Sequence, residues 1–322
     1  MLKKKKILFI APVFHDYHIL IVEKLTQMGA EVTFYPERDY SIRFKIINNF
    51  FNHWLPFKQS KHYRKIVRQT ASQEFDYLFV IRGYMITSEF VKQFKEYHPE
   101  AKTIMYQWDS DRTNPFSSIV PLFDKVQSFD YEDCSNLNIT YLPLFYTEDV
   151  AIEASKKHDI KYDFFLMGTY MPERYKALVR FKEALNDSYS LKSFIYIPSS
   201  SLKKERLKGV KLDNSLISTR HMSRDEYLET LNQSRVIVDV SNPRQTGLAM
   251  RIIEALASRR KILTVNKAIL QDPYYNLNNI ALFDPEHPEF DQRFVCSEFE
   301  GVADVLSIEQ WIISVMNLVK VG

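Results

Sequence analysis

The sequence predicts an α/β protein of two similar domains, each a parallel sheet flanked by helices, the two facing each other across a cleft. Three observations carry that expectation. The chain has 322 residues, enough for two separate cores. Its candidate strands are apolar along their whole length instead of alternating, which suits parallel strands buried on both faces. These runs alternate with segments of helical period, and the strand, helix, strand grammar that begins at residue 5 begins again at residue 162.

Taken in order, KKILFIAPV (5–13) reads as the first strand, DYHILIVEKLTQMG (16–29) as a helix with Gly29 at its C-terminal end, and AEVTFYP (30–36) as the second strand. The pattern recurs as FDYLFVIRG (75–83), a helix over 88–97 and KTIMYQWD (102–109), with shorter strands at KVQSF (125–129) and ITYLPL (139–144). The polar segment 148–162 marks the change of domain, so the expected domains are 1–155 and 156–322. In the second, YDFFLMGTY (162–170) is a strand, 172–185 a helix, SFIYIPS (193–199) a strand and 201–214 a basic, variable stretch. SRDEYLETLNQS (223–234) is a helix in which Ser223 and Glu226 have the spacing of a capping box. RVIVDVSNP (235–243) is a buried strand, GLAMRIIEALAS (247–258) a helix opened by Gly247, and RKILTVN (260–266) and IALFD (280–284) are the last strands. The amphipathic helix IEQWIISVMNLVK (308–320) closes the second domain.

Composition excludes several functions. There are seven glycines, about 2 % against a usual ~7 %. Standing at 29, 83, 168, 209, 247, 301 and 322, they cannot spell GxGxxG or GxxxxGK[ST], so any nucleotide must be held without a Gly-rich loop. Cys134 and Cys296 have no CxxC partner, which indicates neither a disulfide framework nor zinc and fits a reducing cytoplasm. A net charge of +3 argues against a dedicated nucleic-acid binder. The apolar run behind MLKKKK is short and broken by Pro12, and no stretch is long and apolar enough to span a bilayer, so neither a signal peptide nor a membrane span is expected.

Parallel sheets bind ligands in the loops at the carboxyl ends of their strands. In the second domain, VIVDVSNPRQTGLAMRIIEALASRRKILTVN (236–266) is the most informative stretch. Its strand ends near Asp239, and Gly247 would open a helix whose free N–H groups and positive dipole end suit a diphosphate. Arg251 can then pair with phosphate oxygens, and Glu254, three residues on, can accept both hydroxyls of a ribose. The alternative is a surface ion pair between the two. Gly168, at the end of the strand at 162–170, permits close backbone approach, Thr169 would cap the next helix, and Arg174 offers a second phosphate contact.

In the first domain, VFHDYH places His15 and Asp16 near the cleft, although Asp16 is also the natural N-cap of the first helix. His15 and His18 have no third partner for a metal, and none is expected. Asp109, just beyond a buried strand, suits a general base, while Asp111 can pair with Arg112 or cap a turn. Arg82, beside Gly83 at the end of another strand, is either an acceptor or phosphate contact or a salt-bridge partner for these aspartates. The stretch 43–68 interleaves aromatics with Arg and Lys, which fits either a helix pair of the domain or an anionic membrane surface.

The two-domain grammar, the segment QTGLAMRIIEALASRRKILTVN and the strand and turn MGTYMPERY (167–175) resemble GT-B glycosyltransferases of bacterial capsular and lipopolysaccharide synthesis. That resemblance implies two Rossmann-like domains facing across a cleft, the second holding a nucleotide-sugar donor and the first an acceptor. It implies that Glu254 holds the ribose, that Thr246, Gly247, Leu248 and Arg251 lie near the phosphates, that Gln245 is a donor-binding residue in the region where the family's second acidic residue stands, and that Gly168 and Arg174 assist. On the acceptor side it leaves Arg82 and Asp111, with Asp109, His15 or Asp16 as base. The expected activity is metal-independent sugar transfer, without a cofactor, from a nucleotide diphosphate sugar, uridine favoured, to a glycan or lipid-linked hydroxyl. The expected location is the cytoplasm, with the inner face of the membrane as a further site. Two rivals share these residues: a nucleotide-sugar epimerase on the same fold, and a non-catalytic nucleotide-sugar-binding subunit.

Overall fold

The computed structural model describes every residue except 1, 42, 43, 45, 46, 48–50, 187 and 319–322. The described strands form two parallel sheets of six. The first contains β1 (Lys6–Ala11), β2 (Glu31–Pro36), β3 (Tyr77–Ile81), β4 (Lys102–Gln107), β5 (Lys125–Ser128) and β6 (Thr140–Tyr141), in the order β2-β1-β3-β4-β5-β6. The second contains β7 (Tyr162–Thr169), β8 (Leu191–Tyr196), β9 (Ile217–Ser218), β10 (Ser234–Asp239), β11 (Lys261–Thr264) and β12 (Ile280–Leu282), in the order β12-β11-β10-β7-β8-β9. The α/β class and the paired Rossmann-like sheets are those the sequence leads one to expect. In each sheet the strand order reverses once, between β1 and β3 and between β7 and β10, and loops leaving such switch points are where open α/β sheets hold ligands.

The chain divides into two compact units. Unit 1 takes the chain up to Leu144, the short segment Arg244–Gly247 and the chain from Ile308; unit 2 takes Phe145–Pro243 and Leu248–Ser307. The terminal helix Ile308–Met316 therefore belongs with the first sheet, whereas the sequence reading places it in the second domain. Its reason is a face to cover. On one face of the first sheet, Leu8, Ile10, Leu78 and Val80 pack with Tyr63 and Ile66 of the helix Leu55–Thr70 and Phe90 and Phe94 of the helix Ser88–Tyr97. On the other, the rings of Phe9 and Phe79 stack 5.2 Å apart, and Trp311 lies 6.1 Å from Phe79 and edge-on to Tyr106 at 4.8 Å. In unit 2, Phe164 and Leu166 of β7 pack with Val236, Val238, Leu178 and Phe181, while Phe165 points to the opposite face, 6.3 Å from Tyr227.

Several local expectations change. The strand expected at 139–144 pairs only over Thr140–Tyr141, and 201–214 contributes to a helix, Ser199–Leu207. Ser223 caps its helix through the Glu226 N–H at 3.2 Å, but the Glu226 carboxylate pairs with Arg220 instead of closing the box. Asp16 adopts φ 61° and makes no side-chain cap. Thr169 caps no helix, because the next one begins at Pro172 after Met171. The helix expected to open at Gly247 begins at Met250. Within 43–68 the helix Leu55–Thr70 is present, and residues 43, 45, 46 and 48–50 lie outside the described residues.

Candidate functional site

At the β7/β10 switch point of unit 2, three of the expected donor residues meet around a carboxylate. Asp239 ends β10 and is fully buried. Burial alone would raise its pKa, but Arg251, the hydroxyls of Ser241 and Thr264 and, further off, Arg174 hold it below the ordinary value. Arg251 Nε donates to Asp239 Oδ1 at 2.6 Å, and Thr264 Oγ1 to Oδ2 at 2.9 Å. Arg174 is 7 % exposed and donates from Nε to the Val240 carbonyl (2.8 Å) and from Nη1 to the Thr169 carbonyl (2.6 Å). Burial, then the proximity of Arg251, lowers its pKa to about 10, so it remains cationic at neutral pH. Gly168 makes this arrangement possible, since a β-carbon there would stand 3.0 Å from Arg174 Nη1.

The cluster thus holds two guanidinium groups and one carboxylate. Among the described residues, Arg251 spends only its Nε; its outer amines Nη1 and Nη2 have no protein partner. The adjoining helix Met250–Ala257 starts at Ala249, whose side chain cannot cap, so the first N–H groups of that helix keep their donor capacity. Net positive charge, open guanidinium donors and an uncapped helix start are the components of an anion site.

Glu254 does not pair with Arg251. It is 2 % exposed, accepts from the Tyr227 hydroxyl at 2.7 Å through Oε2, and pairs with Arg224 Nη1 at 2.8 Å through Oε1. Arg224 is shared, reaching Asp149 at 2.7 Å and Thr147 at 2.9 Å. Leu248 is buried to 1 % exposure, with its side chain in the core.

In unit 1 the acidic and basic candidates converge at the β1/β3 switch point. Arg82 follows β3 in a left-handed conformation (φ 61°) and fastens to the fully buried Glu37, which follows β2, through Nε at 3.1 Å and through Nη2. Its Nη1 reaches Asp109 Oδ2 at 3.2 Å. Arg82 is therefore the salt-bridge partner that the sequence left as one of two roles. Asp109 also accepts from Gln245 Nε2 at 3.2 Å. Burial raises the Asp109 pKa, against the opposing pull of Arg82 and Gln245, yet its side chain keeps a 25 % exposed edge.

The segment Arg244–Gly247 is held by unit 1. Asp130, 1 % exposed, accepts from Thr246 N at 2.6 Å, Thr246 Oγ1 at 2.8 Å and Gly247 N at 3.2 Å, while Gln245 goes to Asp109. Within unit 1, Gln245, Thr246 and Gly247 are thus fastened to Asp109 and Asp130, and the amides of Thr246 and Gly247 donate to a carboxylate of the chain itself. Asp111 accepts from Phe116 N (2.6 Å) and Ser117 N (2.8 Å), which makes it the cap of the turn at Ser117–Leu122.

His15 and Asp16 are exposed, both with positive φ (42° and 61°), in the loop after β1. Phe14 contacts the His15 ring edge-on at 4.3 Å, and Phe14, Tyr17 and Trp108 lie 6.4–6.5 Å from one another, forming an aromatic shelf whose Trp108 directly precedes Asp109. His18 lies against Phe34 at 5.2 Å, and burial lowers its pKa.

Sequence reasoning missed Glu37, Asp130, Arg224 and Tyr227 and named Asp239 only as a strand end. One signal would have found the three acids: each is a carboxylate at or just past the end of a parallel strand, as Asp109 is. Arg224 and Tyr227 carry no such mark, because an amphipathic helix start commonly holds both types.

Two parallel six-stranded α/β sheets with polar clusters at their switch points define the class: a paired Rossmann-like fold. No family model and no curated protein matches the chain. Solved structures do share its fold. AviGT4, a glycosyltransferase involved in avilamycin A biosynthesis, matches 97 % of this chain and 92 % of its own at TM-score 0.58 and 10 % identity. An α-glucosyltransferase in complex with UDP and DNA matches 88 % of this chain and 87 % of its own (TM-score 0.56, 13 % identity). The S. aureus MnaA–UDP structure matches 98 % of both chains (TM-score 0.56, 13 % identity). Among the described residues no helix is long and apolar enough to cross a membrane.

Proposed function

We propose that this protein is a GT-B-type glycosyltransferase that moves a hexosyl group from a nucleoside diphosphate sugar to a hydroxyl of a glycan or lipid-linked acceptor of surface-polysaccharide synthesis, in the cytoplasm. The observation that carries the reading is the Arg251–Asp239–Arg174 cluster. It leaves two guanidinium amines of Arg251 open beside an uncapped helix start, at the switch point where this fold class binds nucleotides. Two of the structural neighbours are UDP complexes, which favours uridine as the nucleoside of the donor.

In this reading Arg251 and the helix N–H groups take the diphosphate and stabilise it as it departs, so the chemistry runs without a metal ion or cofactor. Arg174, pinned by two carbonyls, adds fixed positive charge beneath. Glu254, one turn along the helix, accepts the ribose hydroxyls; Tyr227 fixes one of its oxygens, and the partly exposed Arg224, shared with Asp149, yields the other. In unit 1 Asp109 is the general base. Its raised pKa makes the ionised carboxylate a better proton acceptor, and the shelf of Phe14, Tyr17 and Trp108 offers apolar faces for a sugar ring.

Titration calorimetry with UDP tests the donor site. Binding is expected to weaken about tenfold or more in Arg251→Ala, the effect of losing a charged hydrogen bond, and also in Glu254→Ala. Unchanged affinity in both variants, or no response of the wild type to any nucleoside diphosphate, overturns the assignment. Incubation with donor alone, followed by product analysis, separates transfer from epimerisation.

A further inference from the structure

The helix Leu55–Thr70 carries features that glycosyl transfer does not use. Its inner face, with Tyr63, Ile66 and Val67, is buried in the core of unit 1. Its outer side presents Lys58, Lys61, Arg64, Lys65 and Arg68 at the three- and four-residue spacings of a helical stripe. With Arg38 they line a groove of about 800 Å³. Asp39 is the one carboxylate among the lining residues, and its oxygens are taken by the Ser41 N–H and hydroxyl. Lys58 and His62 help to hold the Asp39 pKa low, but among the described residues no carboxylate forms a direct ion pair with any of the six cations. Arg38 stacks instead over Tyr40 at 5.0 Å and Tyr84 at 5.5 Å. Six unpaired cations crowded in one groove repel one another, and an anionic partner relieves that repulsion.

At the N-terminal end of the same stripe stand three large exposed aromatics, Phe51 (49 %), Trp54 (53 %) and Phe57 (57 %), with the rings of Trp54 and Phe57 6.4 Å apart. We infer that this face docks on an anionic phospholipid bilayer, the cations over the lipid phosphates and Trp54 and Phe57 seated at headgroup level. Charge complementarity supplies the attraction and the aromatics supply insertion, the pairing found in interfacial helices. The aromatics gather at one end of the stripe instead of alternating with the cations along it, which suits an interface better than bases stacking along a nucleic-acid strand. The net charge of +3 for the whole chain makes this a local patch and not a general basicity. The inference stands apart from the donor-site reading, whose residues lie in unit 2.

The test is co-sedimentation of the full chain with vesicles of phosphatidylcholine alone and with about 30 mol % phosphatidylglycerol added. Binding is expected on the anionic vesicles only, weakening as salt is raised, and dropping about tenfold or more when Lys58→Glu, Lys61→Glu and Lys65→Glu are combined. Trp54→Ser is expected to weaken binding while leaving its salt dependence in place. The matching triple Lys→Gln variant should fall between wild type and charge reversal, and circular dichroism melting of each variant confirms that the fold persists. Absence of binding, equal binding to neutral vesicles, or an undiminished charge-reversal variant overturns the inference, as does a single-stranded oligonucleotide that displaces the protein from anionic vesicles. Failure of the wild type to bind UDP would sink the donor reading and leave this one standing.

Discussion

Gly247 lies against Phe129 so closely that a β-carbon at position 247 would fall inside contact distance of both the Phe129 ring and its carbonyl oxygen. The contact is internal to unit 1, and the Asp130 carboxylate next to Phe129 holds the same segment through Thr246 and Gly247. Gly247 is thus explained by close packing of one backbone on another, and its φ is not in the left-handed region.

Gly247→Ala is therefore expected to destabilise the protein by about 1–3 kcal/mol, the usual magnitude for overpacking at a site with no room to yield. A lowered midpoint in urea unfolding would show it. Were Gly247 instead a phosphate-cradling residue with free space above it, the variant would unfold at the wild-type midpoint and lose only UDP affinity.

Asp109→Asn separates chemistry from binding. As general base Asp109 must be ionised, and burial raises its pKa, so turnover should fall as acidification carries the pH through a value above the ordinary carboxylate range near 4. The variant keeps an acceptor for Arg82 but cannot take a proton, and turnover should drop about a hundredfold or more with calorimetric UDP affinity unchanged. A variant that transfers sugar at the wild-type rate, with the same acid limb, would remove Asp109 from the mechanism.

Asp133 makes stability itself depend on pH. Burial, and then neighbouring Asp130, Asp111 and Glu132, push its pKa from 3.8 up to about 6, although the Asp111 N–H donates to it at 2.8 Å. The folded chain holds this proton in a range where the unfolded chain has released it. Its contribution is complete below pH 3.8 and is lost as pH rises through about 6. Asp133→Asn can still accept from Asp111 N and carries no charge. It should flatten this part of the stability profile and exceed the wild type above pH 6 by on the order of 1 kcal/mol. Parallel urea titrations at pH 4, 5, 6 and 7 check both the slope and its removal.

Much of the fold is legible in the sequence because parallel strands buried on both faces read as unbroken apolar runs. KKILFIAPV, FDYLFVIRG and RVIVDVSNP each contain a strand of the structure. Boundaries set by one short-range contact are legible too: the helix expected over 88–97 is present as Ser88–Tyr97, with Thr87 accepting from Phe90 N. ITYLPL was not separable into strand and loop, because only pairing with β5 decides where the ladder stops. The candidate site shows the same division. Arg251 and Glu254 share a helix face by spacing, but their ions go elsewhere, to Asp239 twelve residues back and to Arg224 thirty residues back.

By itself the sequence determined the α/β class, the restart of the strand grammar at 162, the absence of a Gly-rich phosphate loop and the residue types available at strand ends. Periodicity and composition are properties of neighbouring residues and need no partner to be read. Only the tertiary structure decided which charges meet. Asp239 draws Arg251, Asp130 draws Thr246 and Gly247, and Glu37 draws Arg82 because each carboxylate, once buried, requires more cations or N–H donors than its immediate chain neighbours supply. Trp311 likewise assigns the last helix to the first sheet, since an amphipathic face specifies that it must be covered and not by what.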